Sequence, residues 1–280
     1  MPSATGRRTT SICSRGINAA YDDDFYKVCH YLYALTEAGQ STISLSSDAR
    51  SNADFFDKYE AFKSQGIAGA METALVNYEG ILPPGDDGPR LARYTDNHDE
   101  GRGLYRFGEG AVRAVNQVIF LSNHCIPFLL TGQEFGAINR PSIHERMGRC
   151  DKGRRIAGEN STQYLDGIEF EGNLFARTAE SRTAWYRFYK DLIHLRLRNK
   201  ELLHGNFLLI DAGEEGPASD RTVIAFERRL KRTAIRCAIN LGPARRELKN
   251  IGAFEGQLLY GQLDGNSIAP FSAVAVRIKG

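Results

Sequence analysis

Residues 91–99, LARYTDNHD, set the architecture of this chain. Residues 91–95 combine apolar, aromatic and β-branched side chains over the length of a short strand. The polar run at 96–99 then ends that strand, which places four polar side chains at its carboxyl end. Such residues also end strands for purely structural reasons. In parallel α/β folds, however, catalytic and binding groups lie at this end of the strands, so the run 96–99 is the first candidate site.

A helix and a second strand follow this run. The predicted helix ends near His124 and has its apolar residues on one face. Residues 126–130, IPFLL, have the continuous apolar composition of a buried strand, and GQEFG at 132–136 closes it. Strand, helix and strand in this order predict a parallel βαβ unit within an α/β barrel or an open sheet.

The spacing of apolar residues changes along the chain, from helical spacing to alternation, at about residue 205. Further helices are predicted over residues 25–35, over the stripe Phe55, Tyr59 and Phe62, and over the face formed by Trp185, Phe188, Tyr189 and Leu192. After about residue 205 the apolar period becomes two, with Ile235, Cys237 and Ile239 facing one way, which predicts half-buried antiparallel strands. We therefore predict an α/β domain at 1–204 and an antiparallel β-sandwich domain at 205–280.

Composition excludes several classes of protein. Hydrophobic residues make up 42% of the 280 residues, as in ordinary globular proteins. The 36 Lys and Arg exceed the 34 Asp and Glu by only two and are scattered, so neither nucleic acid nor an acidic membrane surface is an expected partner. The five cysteines lack metal-ligand spacing, and no apolar stretch approaches the length of a membrane span. Because residues 1–16 also lack the apolar run of a secretory signal, the expectation is a cytoplasmic protein without a metal or another cofactor.

Four segments resemble the α-amylase family, glycoside hydrolase family 13. Residues 94–99, YTDNHD, resemble the family's seventh-strand motif, which ends in Asn-His-Asp. Residues 126–134 resemble the eighth-strand motif, a proline followed by Gly-x-Glu, while 19–26 resemble the sixth-strand exit and 186–205 the eighth helix. The resemblance spans nearly the whole chain from residue 17. It implies an incomplete (β/α)8 TIM barrel, strands six to eight, followed by an all-β sandwich domain.

The resemblance also implies roles for individual residues. The family's retaining mechanism uses a nucleophilic aspartate and an acid/base glutamate about 5–5.5 Å apart, assisted by a third carboxylate. By motif position Asp99 is that third, transition-state-stabilising group, and His98 and Asn97 are substrate-binding. Arg102 is expected either to orient a carboxylate or to be an ordinary solvated loop arginine. Glu134 is expected to support the site from behind rather than to react.

Three consecutive acidic residues precede the first predicted helix. Asp22, Asp23 and Asp24 are interpreted as charges at the start of that helix, where its positive end favours them. Metal binding is the lesser alternative for them.

The sequence also departs from the family pattern. The nucleophile motif, an Arg-x-Asp run at the fourth strand, has no counterpart, and no glutamate precedes Glu37. The expectation is therefore a fragment of a retaining hydrolase or transglycosylase acting on an α-glucan or α-glucoside, inactive by itself. The alternative is a non-catalytic carbohydrate-binding or scaffold protein. The residues do not distinguish hydrolysis from transglycosylation, and they leave the exact substrate and the oligomeric state open.

Overall fold

A three-stranded parallel sheet forms the first part of the fold. The computed structural model describes residues 19–34, 64–76, 90–97, 102–122, 125–137, 178–214 and 216–279. Strands β1 (Ala19–Tyr21), β2 (Arg90–Arg93) and β3 (Cys125–Pro127) lie side by side in that order, and both pairings are parallel. The three predicted parallel strands are thus confirmed, although β2 and β3 are shorter than their apolar runs.

Helices follow these strands. They are α1 (Asp23–Cys29) with a π-helical turn at His30–Ala34, α2 (residues 64–76), α3 (Gly103–Phe107), α4 (Glu109–Leu121), a 3-10 turn at Gln133–Phe135, α5 (Ala179–Arg198) and α6 (Lys200–His204). Asp22 caps α1, where its carboxylate accepts from the Phe25 amide at 3.1 Å. This confirms the predicted helix-start charge. The predicted stripe at 55–62 lies outside the described residues.

Helix α5 presents its predicted apolar face to the core. Trp185, Phe188, Tyr189 and Leu192 are all buried, as their spacing predicts. The guanidinium of Arg113, from α4, lies 4.3 Å from the centre of the Trp185 ring. Among the described residues, no helix combines the length and the apolar character needed to cross a bilayer.

An antiparallel sheet forms the second part of the fold. Strands β4 (Asn206–Ile210), β5 (Val223–Leu230), β6 (Thr233–Asn240), β8 (Gln257–Gly261) and β10 (Ala273–Lys279) pair in the order β4-β5-β6-β10-β8, while β7 (Arg246–Glu247) and β9 (Ser267–Ile268) form a two-stranded sheet. The antiparallel pairing predicted after residue 205 is confirmed. The domain boundary itself stays a prediction, because a single hydrophobic cluster includes both Trp185 and Ile235.

Strand β6 is buried on both faces, which corrects the predicted half-buried strand. Ile235, Cys237 and Ile239 join the cluster that contains the helices. Ala238, on the opposite face, joins a second cluster with Phe254 and other residues of the later segments. Apart from the partly exposed Arg236, both faces of this strand therefore contact apolar side chains, whereas one face was predicted to meet water.

Two buried arginines, Arg196 and Arg228, donate hydrogen bonds to backbone carbonyls at the end of α4 and in the segments packed against it. Arg196 donates to the carbonyls of Phe120 at 2.7 Å and Cys125 at 2.9 Å. Arg228, from β5, donates to the carbonyls of Ser122 and Gly205. Burial lowers the pKa of Arg228 to about 10, which still leaves it charged at neutral pH. The two guanidinium groups thus satisfy carbonyls that a helix end and a turn leave without partners.

Glu227 is buried and forms ion pairs with two partly exposed arginines, so its charge should contribute to stability. Its carboxylate accepts from Arg229 Nε at 2.6 Å and from Arg236 Nε at 2.9 Å. Burial alone would raise the pKa of Glu227, but these two hydrogen bonds outweigh burial and hold that pKa below its ordinary value of 4.5. The resulting stabilisation is complete above the ordinary pKa and is lost as the pH falls through the lower pKa of the folded state.

We expect Glu227→Gln to lower the free energy of unfolding by about 1 kcal/mol at pH 7, because both arginines are partly solvated and screened. At a second pH below 4.5, where the carboxyl begins to take up protons in the folded state, the difference from wild type should be smaller. Urea unfolding at the two pH values measures this, with the exposed Glu247→Gln as control. An equal loss at both pH values would show that the effect is packing rather than charge.

Candidate functional site at the carboxyl ends of the parallel strands

The described part of the candidate site begins directly after β2. Asn97 lies four residues beyond Arg93 and is 5% exposed. His98 and Asp99 lie outside the described residues, so their predicted roles stay predictions. The parallel pairing of β1, β2 and β3 places the carboxyl ends of all three strands at one edge of the sheet. The motif segments that begin at 19, 94 and 126 therefore meet at that edge.

Asp96 organises the chain around this strand end. Its carboxylate accepts from the Thr95 hydroxyl at 2.9 Å and from the Gly103 amide at 2.9 Å. Burial raises the pKa of Asp96, although these two donors and the nearby Arg102 guanidinium counteract that effect. Asp96 thus joins the end of β2 to the start of α3.

Arg102 is 1% exposed, which excludes the solvated loop arginine. Its Nη2 donates to the carbonyl of Thr131 at 2.7 Å, and its Nη1 lies 3.9 Å from the Asp96 carboxylate. The described carboxylate beside Arg102 is therefore that of Asp96. This side chain links the turn after β3 to the loop after β2.

The eighth-strand motif places Gln133, and not Glu134, at the centre of the buried contacts. Glu134 is half-buried and accepts from the Gly132 amide of its own turn at 2.8 Å. Gln133 is 4% exposed, and its Nε2 donates to the Thr95 hydroxyl and the Tyr189 hydroxyl, each at 2.9 Å. Sequence reasoning missed this residue because one glutamine gives no periodic or charge signal.

Backbone geometry explains the glycines of the same turn. Gly132 and Gly136 both have positive φ, of 92° and 71°, which glycine adopts without strain. A Cβ at Gly136 would also lie 2.5 Å from the Trp185 ring. The turn that presents Gln133 therefore needs glycine on both sides.

Aromatic rings cluster at the same edge of the sheet. Tyr21 ends β1, Tyr94 follows β2, and Phe128 follows β3. The ring of Tyr21 lies 5.3 Å from that of Tyr94 and 5.4 Å from that of Phe128, both edge to face. Tyr94 is buried and donates to Asp23 at 2.7 Å, whereas the other two rings remain partly exposed. In the sequence each strand motif has an aromatic residue near its end, but no cluster was predicted from this pattern.

A buried ion pair lies next to this edge. Asp22 follows β1, Arg93 ends β2, and Arg93 Nε lies 2.8 Å from the Asp22 carboxylate with both side chains almost fully buried. Burial raises the pKa of Asp22, while Arg93 and the Phe25 amide oppose that shift. Both groups already have strong partners, so this pair fixes the relative position of two strands. Among the described residues, no three histidine, cysteine or acidic side chains are arranged to hold a metal ion.

A separate groove of about 760 Å³ lies between α5 and the edge strand β8. His194 and Arg198 line one side, and Leu258 and Tyr260 line the other. None of the predicted site residues contributes to it. The groove is therefore distinct from the strand-end site.

Comparison with known proteins gives a structural likeness. No family model matches the sequence, and no curated protein matches it. A Salmonella typhimurium protein assigned as an α-amylase superposes with a TM-score of 0.58 at 18% identity, over 93% of this chain and 47% of that chain. Trehalulose synthase MutB from Pseudomonas mesoacidophila MX-45 superposes with a TM-score of 0.49 at 17% identity, over 75% of this chain and 46% of that chain.

The chain thus spans about half the length of the solved structures that it resembles. The likeness above a TM-score of 0.5 concerns the fold, a mixed helix and sheet structure with an antiparallel β sheet. In fold, this chain is similar to about half of an α-amylase, in agreement with the α-amylase-family resemblance of its strand motifs.

Proposed function

We propose that this chain forms part of the substrate site of a retaining glycoside hydrolase or transglycosylase that acts on an α-glucan or α-glucoside. In this proposal β1, β2 and β3 are strands six to eight of a (β/α)8 barrel, and the β region from residue 205 is its trailing domain. The observation that carries the proposal is the side-by-side parallel order of β1, β2 and β3. That order brings the three motif-bearing strand ends together, as a barrel of this family requires.

Asp99 is the proposed reactive-site carboxylate of this chain. It would accept hydrogen bonds from sugar hydroxyls near the anomeric carbon, which tighten as the ring flattens towards the oxocarbenium-like transition state. His98 and Asn97 would contact the same sugar, and Glu134 would support the turn after β3. The partly exposed rings of Tyr21 and Phe128 add an apolar surface suited to the face of a sugar ring.

A non-catalytic carbohydrate-binding or scaffold protein is the second candidate. It is favoured by the partly exposed rings of Tyr21 and Phe128, which suit binding of a sugar ring without reaction. The coding sequence upstream of Met1 separates the two candidates. An in-frame Arg-x-Asp followed by a glutamate supports the enzyme, and an upstream stop codon supports the binding protein.

We expect the 280-residue chain to show no turnover of starch or maltooligosaccharides. Asp99 alone offers neither a nucleophile with a partner acid nor a route to a covalent glycosyl intermediate. Release of reducing sugar measures this, with the upstream-extended protein as the positive comparison. Turnover that depends on the 280-residue chain alone would refute the proposed division of catalytic groups.

A further inference from the structure

Gln133 connects four elements of the fold through one side chain. Its amide nitrogen lies within hydrogen-bond distance of Thr95, Asn116 and Tyr189, at 2.9, 3.4 and 2.9 Å. Its amide oxygen accepts from the Leu130 amide at 3.2 Å. We call Gln133, Thr95, Asn116 and Tyr189 the Gln133 cluster. It joins the end of β2, helix α4, the turn after β3 and helix α5 in a region that water does not reach.

Only a carboxamide satisfies the partners of this position. The carbonyl oxygen of the amide accepts from a backbone N–H, while its NH₂ group supplies two hydrogens to the surrounding oxygens. The Thr95 hydroxyl gives its own hydrogen to Asp96 and accepts from Gln133 at 2.9 Å and from Asn116 Nδ2 at 3.3 Å, so Gln133 is the closer of its two donors. An ionised carboxylate would offer acceptors only, and an alkyl group would remove the closer donor of Thr95 and the hydrogen bond to the Tyr189 hydroxyl.

The chain of hydrogen bonds continues to the candidate site. Gln133 donates to Thr95, Thr95 donates to Asp96, and Asp96 accepts from the Gly103 amide. The adjoining Asn97 is the next residue after Asp96 and is itself buried. Each link is short and buried, so the orientation of the Gln133 amide fixes the backbone on which the substrate-binding segment begins.

We propose that Gln133 is a positioning residue of the sugar site, which holds the segment from Thr95 to Asn97 through Thr95 and Asp96. This inference rests on the proposed function for its ligand, an α-glucan, and on the hydrogen-bond geometry for its mechanism. Glu134, which contacts its own turn, takes no part in it. Gln133 does not touch the reacting atoms and acts through Asp96.

Amide hydrogen exchange of the full chain tests the mechanism without requiring activity. In Gln133→Leu the Gly103 amide, which is bonded to Asp96, should exchange at least about tenfold faster, because the hydroxyl of Thr95 loses the closer of its two donors and keeps only Asn116 at 3.3 Å. The Ile239 amide in β6 should keep its wild-type rate. The exposed Gln257→Leu, which makes the same chemical change in β8, is the matched control and should leave both rates unchanged. A Gly103 rate within twofold of wild type, or equal acceleration at Ile239, would overturn the proposal.

Gln133→Glu adds a readout that loss of packing would not give. The protonated carboxyl can donate to Thr95, whereas the ionised form cannot, so Gly103 protection should recover towards wild type as the pH is lowered. Wild type provides the baseline because it carries the same Asp96, Arg102 and Tyr189. A pH profile for Gln133→Glu that parallels Gln133→Leu would argue against a donor role.

Binding of maltoheptaose by the full chain links the mechanism to the sugar site. Gln133→Leu should bind at least about tenfold more weakly than wild type, while the exposed control Gln257→Leu should bind equally well. Wild-type affinity in both variants would overturn positioning of the sugar site. If wild type itself does not bind the sugar, the proposed function fails, and the Gly103 exchange rates alone then determine whether Gln133 holds the strand end.

Discussion

Replacing Asp22 by asparagine is expected to lower the free energy of unfolding by about 3–5 kcal/mol. The substitution keeps the shape of the side chain and an oxygen that can still cap α1 at the Phe25 amide. It removes the negative charge that lies 2.8 Å from Arg93, whose side chain is 3% exposed. The guanidinium would then stay buried and lose the carboxylate at 2.8 Å, and removing one partner of a buried pair costs far more than the net contribution of the pair to stability.

Urea unfolding at neutral pH measures this loss. Asp24→Asn is the matched control, because Asp24 lies in the first turn of the same helix but is only half-buried. It should cost less than about 1 kcal/mol. The double variant Asp22→Asn/Arg93→Met should recover part of the loss, since both charges of the pair are removed together. A loss below about 1 kcal/mol for Asp22→Asn would show that water reaches Arg93.

Under the proposed function, replacing Asp99 by asparagine in the upstream-extended protein is expected to lower kcat by about 100-fold or more. The amide preserves shape but loses the charge that holds the sugar hydroxyls more tightly in the transition state than in the ground state. A transition-state contribution of several kcal/mol corresponds to a reduction of this size, since each 1.4 kcal/mol is about tenfold. KM should rise less than kcat falls.

Glu134→Gln provides the comparison in the same protein. Its contact lies within its own turn, so it should reduce thermal stability and leave kcat nearly unchanged. Steady-state kinetics on a maltooligosaccharide, with melting temperatures for both variants, separates the two roles. A kcat for Asp99→Asn within about twofold of the parent would remove Asp99 from the reactive site.

Local pattern was enough to predict much of the fold. Residues 91–95 predicted the second parallel strand from their apolar, aromatic and β-branched composition, and the continuous apolar run at 126–130 predicted the third. The spacing of Trp185, Phe188 and Leu192 gave the buried face of α5. Polar residues after the second strand predicted the place of the candidate site, and the roles of His98 and Asp99 there stay predictions.

Contacts between residues far apart in the sequence could not be predicted from local patterns. Asp22 and Arg93 are separated by 71 positions, and Gln133 and Tyr189 by 56. Neither pair has a periodic signature, and each depends on which helix packs over which strand. Helix α2 was missed for a different reason: Gly66 and Gly69 lower its intrinsic helix propensity, so that packing rather than local preference forms it.

Arg228 limits how freely the two halves of such a protein can be exchanged between relatives. Its side chain extends from β5 and donates to the carbonyls of Ser122 and Gly205, the residues that directly follow helices α4 and α6. A β region transplanted from another protein would leave both acceptors buried and unpaired, at about 1–3 kcal/mol each, unless it carried a long cationic side chain at the same point. Viable chimaeras are therefore confined to donors with that one arginine or its equivalent.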